Sequence, residues 1–142
     1  MTYSEQLRQH YGFGTGDRIV VPKSGWDVVQ HHAVFFGMVD GEAVVAENKE
    51  GRGVILTRLD QFMADARIIK RHIRFSGNHY DQMVVMDRIR ERLGRRYDLL
   101  KYNCEHFANE VLHFRAISPQ VKAVGTAAAV AGGLFLLARL LR

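Results

Sequence analysis

The sequence predicts an α+β domain, a small antiparallel sheet with helices packed against it. Short β-branched runs bounded by Gly, Pro and Asp-Gly fill the first half of the chain, and apolar residues at helical spacing fill the second. Strands therefore come first and helices later, the pattern of segregated α+β layers. At 142 residues the chain has the size of one domain with one core.

The elements can be taken in order. "GDRIVVP" (Gly16 to Pro22) is a β-branched run opened by a turn signal and closed by proline. "HHAVFFGMV" (His31 to Val39) and "EAVVAEN" (Glu42 to Asn48) are two further strands, and Asp40-Gly41 between them is a hairpin signal. "GVILTRL" (Gly53 to Leu59) is expected to be a fourth strand, leading into a helical turn at "LDQFMADA". "RIIKRHIRF" (Arg67 to Phe75) is expected to be a strand with basic edges. A helix follows from Asn78 to Gly94, with Met83, Met86, Ile89 and Leu93 on its apolar face and Gly94 as its stop. The last helix of the domain begins at Asn103 or Cys104 and runs to Phe114, turning Phe107, Val111 and Phe114 to the core.

Beyond Ser118-Pro119 the chain changes character. Ala123 to Ala138 carries no charge and is flanked by Lys122, Arg139 and Arg142. This run falls short of the roughly 20 residues that span a bilayer. Leu140 and Leu141 extend it if Arg139 snorkels its guanidinium to the headgroups. A helix apolar on every face has no polar side to turn toward water. Residues 1–118 are therefore expected to form the globular domain and 119–142 a hydrophobic membrane-anchor segment. A buried C-terminal helix of a soluble core is the alternative.

Composition narrows the setting. A hydrophobic fraction of 47% and a charged fraction of 25% exclude global disorder. A single cysteine makes no internal disulfide, and the first thirty residues lack an apolar h-region, so the expected compartment is the cytosol. The net charge of +5 suggests an anionic partner. Two basic runs, Arg67, Lys70, Arg71 and Arg74, then Arg88, Arg90, Arg92, Arg95 and Arg96, suit either a solvated face or an anionic bilayer surface. No aromatic stacking pattern accompanies them, so no nucleic-acid partner is expected. Trp26 lies in the loop before the His31 strand, placed either to line a lipid-binding lip or to close the core. Neither His72 and His79 nor Cys104 and His106 has the spacing of a metal set, and no metal or cofactor is expected.

The one cysteine lies in "KYNCEHFANEVLHF". A free thiol supplies little thiolate at neutral pH, and a helix N-terminus and a nearby imidazole both lower its pKa. Asn103 is a good N-cap, which puts Cys104 in the first helical turn. His106, two positions on, points about 200° away on a helix, and His113 lies too far down it. His31 and His32 begin the strand "HHAVFFG" and point to opposite faces, so only one faces the side on which the cysteine helix packs.

These residues resemble a known family. "NCEHFANEV" (Asn103 to Val111) is similar to the Asn-Cys-Glu-His-Phe signature of the lecithin retinol acyltransferase-like proteins, which include the H-Ras-like suppressor phospholipases and N-acyltransferases. "GDRIVV" resembles the family's Gly-Asp-Leu-Ile strand, and "HHAVFFG" its His-Trp-Ala-Ile-Tyr-Val-Gly strand. "GRRYDLLKYNCEHF" resembles the segment in which a tyrosine precedes the cysteine block, and the hydrophobic tail suits a family with tail-anchored members. The resemblance covers residues 14 to 142. It implies a circularly permuted relative of the NlpC-type papain-like thiol hydrolase fold. It also implies that His31 is the base, that Cys104 forms a thioester with acyl chains of phospholipid-like esters, and that the acyl group passes to water or to an amine or hydroxyl. The backbone N–H of Cys104 is a candidate oxyanion donor. One departure stands out. The family commonly places a histidine on the strand after the hairpin to orient the base, and here that strand reads "AVVAENKEGRG". Glu47 takes the position, with Asn48 the near alternative and an ordinary solvent-facing pair the third reading.

The expectation is thus a thiol acyltransferase or phospholipase A1/A2-type hydrolase at the cytoplasmic face of a membrane, tail-anchored or peripheral. Two rivals remain: a papain-like peptidase or amidase using the same Cys104–His31 pair, and a catalytically idle membrane-tethering module.

Overall fold

The computed structural model describes residues 1–23 and 26–114, the side chains of Trp26, Asp27 and Val28 excepted. The elements run α1 (Tyr3–Tyr11), β1 (Arg18–Lys23), β2 (Trp26–Val39), β3 (Glu42–Lys49), β4 (Gly53–Arg58), α2 (Leu59–Ala66), β5 (Arg71–Ile73), α3 (His79–Arg92) and α4 (Cys104–Leu112). The strands form one sheet in the order β4-β3-β2-β1-β5, every neighbouring pair antiparallel. The predicted α+β architecture is observed.

The β2–β3 hairpin turns on Asp40 and Gly41, whose φ angles of 50° and 81° are the double positive of a type I′ turn. Side chains then alternate between the two sheet faces. Ile19, Val21, Ala33, Phe35 and Val45 pack with Leu59, Phe62 and Met63 of α2 and with Leu7 of α1. Val34, Phe36, Val44, Ala46 and Val54 pack on the other face with Val85 and Ile89 of α3 and with Phe107 and Val111 of α4. Because both faces are covered, the interior of β3 is buried from Ala43 to Asn48, which is why it reads as a near-continuous apolar run.

Five expectations need correction. β2 begins at Trp26 rather than His31, so Trp26 opens the strand and does not lie in a loop before it. Residues 1–15 carry a helix, α1, that the reading of the sequence left without an element. Its signals were there: Thr2 accepts from the Glu5 N–H as N-cap, and Gly12 closes the helix with φ 74°. Among its residues only Ser4 is fully buried, so it has almost no apolar stripe to read. The strand expected over Arg67 to Phe75 shrinks to Arg71–Ile73. Arg67 is instead the C-cap of α2, at a positive φ of 70°, with its N–H donating to the carbonyl of Met63. The cysteine helix ends at Leu112 rather than Phe114.

The apolar face of α3 is also rotated in part from the expected one, although Ile89 is buried and Met86 packs against the core as expected. Met83 is 51% and Leu93 43% exposed, while Val84, Val85, Arg88 and Ile89 are buried. Arg88 explains the rotation: its Nη1 donates to the carbonyls of Val111 and His113, and its guanidinium lies 4.4 Å from the Phe114 ring centroid. The C-terminal carbonyls of α4 need donors, and an arginine from α3 supplies them. A residue counted in a basic surface run is therefore a buried helix cap. Its neighbours in that run are also engaged, Arg90 with Asp87 at 3.0 Å and Arg92 with Glu110.

Among the described residues no helix is long and apolar enough to cross a membrane. The expected break at Ser118-Pro119, the segment 119–142 and the side chain of Trp26 lie outside the described residues.

Candidate active site

Asn103 organises the start of α4. Its Oδ1 accepts the N–H groups of Glu105 and His106, and its own N–H is accepted by His106 Nδ1 at 3.0 Å, a reciprocal capping box. His106 is thus occupied in holding the helix start, as its spacing from the cysteine suggested. Cys104 follows in the first turn, buried, at the positive end of the helix.

The sulfur meets β2 where the sheet opens. The registered β2–β3 pairing ends at Ala33↔Glu47. Beyond that pair the Cys104 thiol donates to the carbonyl of Gln30 at 3.9 Å. Asn48 wedges the same gap. Its Nδ2 donates to the carbonyl of Tyr102 at 2.8 Å and to that of Asn103 at 3.3 Å, so β3 grips the turn from which α4 starts. Asn48 is therefore tied to the helix start, whereas Glu47 bonds His31.

His31 and His32 occupy opposite faces, but not as the packing argument suggests. His32 shares the α4 face with Val34, and its Nδ1 accepts from Arg18 Nε at 3.0 Å; Arg18 Nη1 in turn donates to Asn109 at 2.7 Å. Burial first, and then the Arg18 charge, depress the His32 pKa to about 4. His31 lies on the α1/α2 face, its ring 6.3 Å from that of Phe62. Its pKa and that of Cys104 still shift each other, since both residues lie where the β2–β3 ladder ends and the two faces are no longer separated by paired backbone.

Glu47 sits beside His31, its Oε1 2.7 Å from His31 Nε2. Thr57 Oγ1 donates to Glu47 Oε2 at 2.5 Å. Thr57 escaped the sequence reading. It lies two positions from Ile55, the registered partner of Glu47, hence on the same face, a relation visible only once register is known. With Nε2 on Glu47, Nδ1 of His31 remains available, and interaction with Cys104 shifts the pKa of both groups.

The electrostatics favour charge separation. Burial works to lower the His31 pKa, but the hydrogen bonds to Cys104 and Glu47 and the charge of Glu47 outweigh it, and the pKa rises to about 9. Burial also works to raise the Cys104 thiol and the Glu47 carboxyl. The hydrogen bond from His31 and that from the His32 N–H bring Cys104 below its ordinary value. Hydrogen bonds from His31 and Thr57 do the same for Glu47. The shifts all run toward the charged forms, thiolate for Cys104, imidazolium for His31 and carboxylate for Glu47.

A cleft of about 500 Å³ opens at His31 and Glu47, walled by Val21, Pro22, Phe62 and Ala66 and rimmed by Lys23 and Tyr97. Lys23 Nζ stands 5.6 Å from the Tyr97 ring centroid and 3.1 Å from Glu50. A second cleft of about 510 Å³ lies away from the cysteine, between β5 and the end of α4, beside Phe75 and His113. Among the described residues no group of three or more His, Cys, Asp or Glu side chains is placed to hold a metal.

The family model described as lecithin retinol acyltransferase matches residues 6–116, from α1 to just past α4. No curated protein and no solved structure matches the chain. That family's activity is of the acyltransferase and phospholipase-like kind. With most of its length matched, this chain belongs to the lecithin retinol acyltransferase family.

Proposed function

We propose that the chain is a cysteine-dependent acyl hydrolase or acyltransferase acting on phospholipid-like esters, with Cys104 as nucleophile, His31 as proton carrier and Glu47 as the carboxylate that orients it. The observation that carries this reading is His31 bonded through Nε2 to the buried Glu47 and coupled electrostatically to a buried cysteine at a helix start. An isolated surface histidine has no use for either partner.

The steps follow from where the protons rest. His31 takes the thiol proton, a transfer that the lowered Cys104 and raised His31 pKa both favour, and the Cys104 thiolate attacks the ester carbonyl carbon. The C–S bond forms and the carbonyl π pair moves to oxygen. Asn103 Oδ1 takes the N–H groups of Glu105 and His106, not that of Cys104, which leaves the Cys104 N–H to hold the oxyanion. As the tetrahedral species collapses, the C–O bond to the alcohol breaks and the leaving oxygen takes the His31 proton. The acyl group is now a thioester on Cys104, and His31 is neutral. Water, or an amine or hydroxyl acceptor, gives its proton to His31 as it attacks. Collapse expels the thiolate, releases the acid or transferred acyl product, and restores the imidazolium. Glu47 keeps the ring oriented and stabilises its charged form throughout.

The order of the parts supports a circularly permuted papain-like, NlpC-type arrangement, since the histidine strand β2 precedes the cysteine helix α4 in the chain. The apolar walls of the cleft suit an acyl chain. The uncharged run from Ala123 to Ala138 supports a site at the cytoplasmic face of a membrane.

The test incubates the protein and its Cys104→Ser variant with mixed phospholipid vesicles and follows free fatty acid and acylated protein by mass spectrometry. The expected result is a mass increment of one acyl chain on the unmutated protein, with release lost in the variant. Vesicle-bound protein that neither acylates nor releases fatty acid would leave the peptidase or the idle module as the better reading.

A further inference from the structure

The turn that leads into α4 is built as a rigid, apolar-tipped projection. Asp98 and Tyr102 form an isolated antiparallel bridge, with N–H to carbonyl distances of 2.9 and 2.8 Å in the two directions. Asp98 Oδ1 also accepts the N–H groups of Leu100 and Lys101, both at 3.0 Å. Asn103 Nδ2 donates to the carbonyl of Leu99 at 3.1 Å. The base of the turn is anchored by buried Tyr102, whose ring carries the Arg95 guanidinium at 3.6 Å and whose hydroxyl donates to Glu110.

At the tip, Leu99 is 66% and Leu100 84% exposed. Single exposed leucines need no explanation, but these two are adjacent and held outward by a closed hydrogen-bonded frame. The exposed cations Arg96 and Lys101 flank them and make no ion pair among the described residues. Tyr97, one position before the turn, lines the cleft that holds His31. Apolar tip, basic shoulders and catalytic cleft therefore sit on one short stretch of chain.

We infer that the 98–102 turn is a membrane-docking finger: Leu99 and Leu100 enter the acyl region of an anionic bilayer, Arg96 and Lys101 meet its headgroups, and the cleft beside Tyr97 is brought to the lipid surface. An anionic bilayer fits both halves of this surface. Hydrocarbon accepts the leucines, and negative headgroups accept the cations. A frame that is already ordered loses little conformational entropy on insertion. The inference rests on the lipid-ester reading for its partner, but it concerns docking and not the chemical step.

The experiment keeps the full chain and uses its lack of other cysteines. An environment-sensitive fluorophore is placed at Leu100→Cys in a Cys104→Ser background, with Met38→Cys, at the far end of β2, as the reference position. Each is mixed with phosphatidylcholine vesicles containing phosphatidylserine and lipids that carry a quencher in the acyl chain. The expected result is a blue shift and quenching at position 100 and neither at position 38. A label at position 100 that stays in water on bound protein overturns the inference, as does a protein that does not bind these vesicles. A second arm keeps Cys104 and compares Leu99→Ser/Leu100→Ser with the unmutated chain on vesicles and on a soluble short-chain ester. Vesicle turnover is expected to fall roughly tenfold or more, since each leucine is worth that order when buried. Turnover of the soluble ester is expected to stay unchanged. Equal loss on both substrates overturns the docking role. If the label inserts but no acyl-enzyme ever forms, docking stands and the proposed chemistry falls.

Discussion

Glu47→Gln isolates what the carboxylate does for the histidine. The substitution keeps shape, and the amide oxygen still accepts from His31 Nε2, so only the charge is removed. In the structure Glu47 is 3% exposed, 2.7 Å from His31 and supported by Thr57. The net rise of His31 from 6.5 to about 9 corresponds to roughly 3 kcal/mol favouring the imidazolium, shared between Glu47 and Cys104. A hydrogen bond to a charged group contributes about 1.5–3 kcal/mol, so losing the charge should reduce the thiolate–imidazolium population at neutral pH by roughly tenfold to a hundredfold. Alkylation of Cys104 by iodoacetamide across a pH series reads this directly, because the chain has no other cysteine. The alkylation rate at neutral pH should fall by that factor and its pH midpoint should move up, with kcat/KM following. A profile superimposable on that of the unmutated protein would refute the coupling of Glu47 to the pair.

Further outcomes follow from the same geometry. Activity should show a basic limb near pH 9, where His31 loses the proton needed by the leaving group, and the pH dependence of kcat/KM checks this. For stability, the raised His31 contributes fully below about pH 6.5 and loses its contribution as pH rises through about 9. Glu47, held below its ordinary value, contributes above about 4.5 and is lost as pH falls through its folded value. His32, depressed to about 4, costs stability as pH drops from about 6.5, because the unfolded chain binds that proton first; urea midpoints at stepped pH measure all three. Asn103→Ala removes the acceptor for two N–H groups and should cost about 1–2 kcal/mol in urea unfolding while slowing Cys104 alkylation. Gly53→Ala places a Cβ 2.4 Å from the Arg95 carbonyl oxygen at φ 79°, and that oxygen is already fixed by the Val54 N–H. Its cost should be about 2–3 kcal/mol by the same measurement, well above that of a surface substitution.

Much of the fold was legible. β-branched runs and the Asp40-Gly41 turn placed β1, β3 and β4 to within two residues and the end of β2, because those signals are local, but missed its first five residues, Trp26 to Gln30. Helix α3 was located but not oriented. Its apolar residues allow two overlapping stripes, and the choice between them depends on Arg88 reaching the end of α4, a contact between residues 23 and 25 positions apart. Helix α1 was missed because its stabilisation is polar: Ser4 donates to Glu42 and accepts from the Ala43 N–H.

The sequence by itself determined the helix start that holds Cys104, since Asn103, Cys104 and His106 are covalent neighbours and capping acts within one turn. Resemblance to a family added His31 as the partner. Only the tertiary structure decided that His31 lies on the face opposite α4, beside Phe62 and Glu47, where the β2–β3 ladder ends. It also decided between Glu47 and Asn48, which adjacent strand positions send to opposite faces, one to the imidazole and one to the carbonyls ahead of α4. A strand fixes which residues share a face, but what waits on each face is set by register and by the helices packed there. Those are long-range contacts that no window of sequence contains.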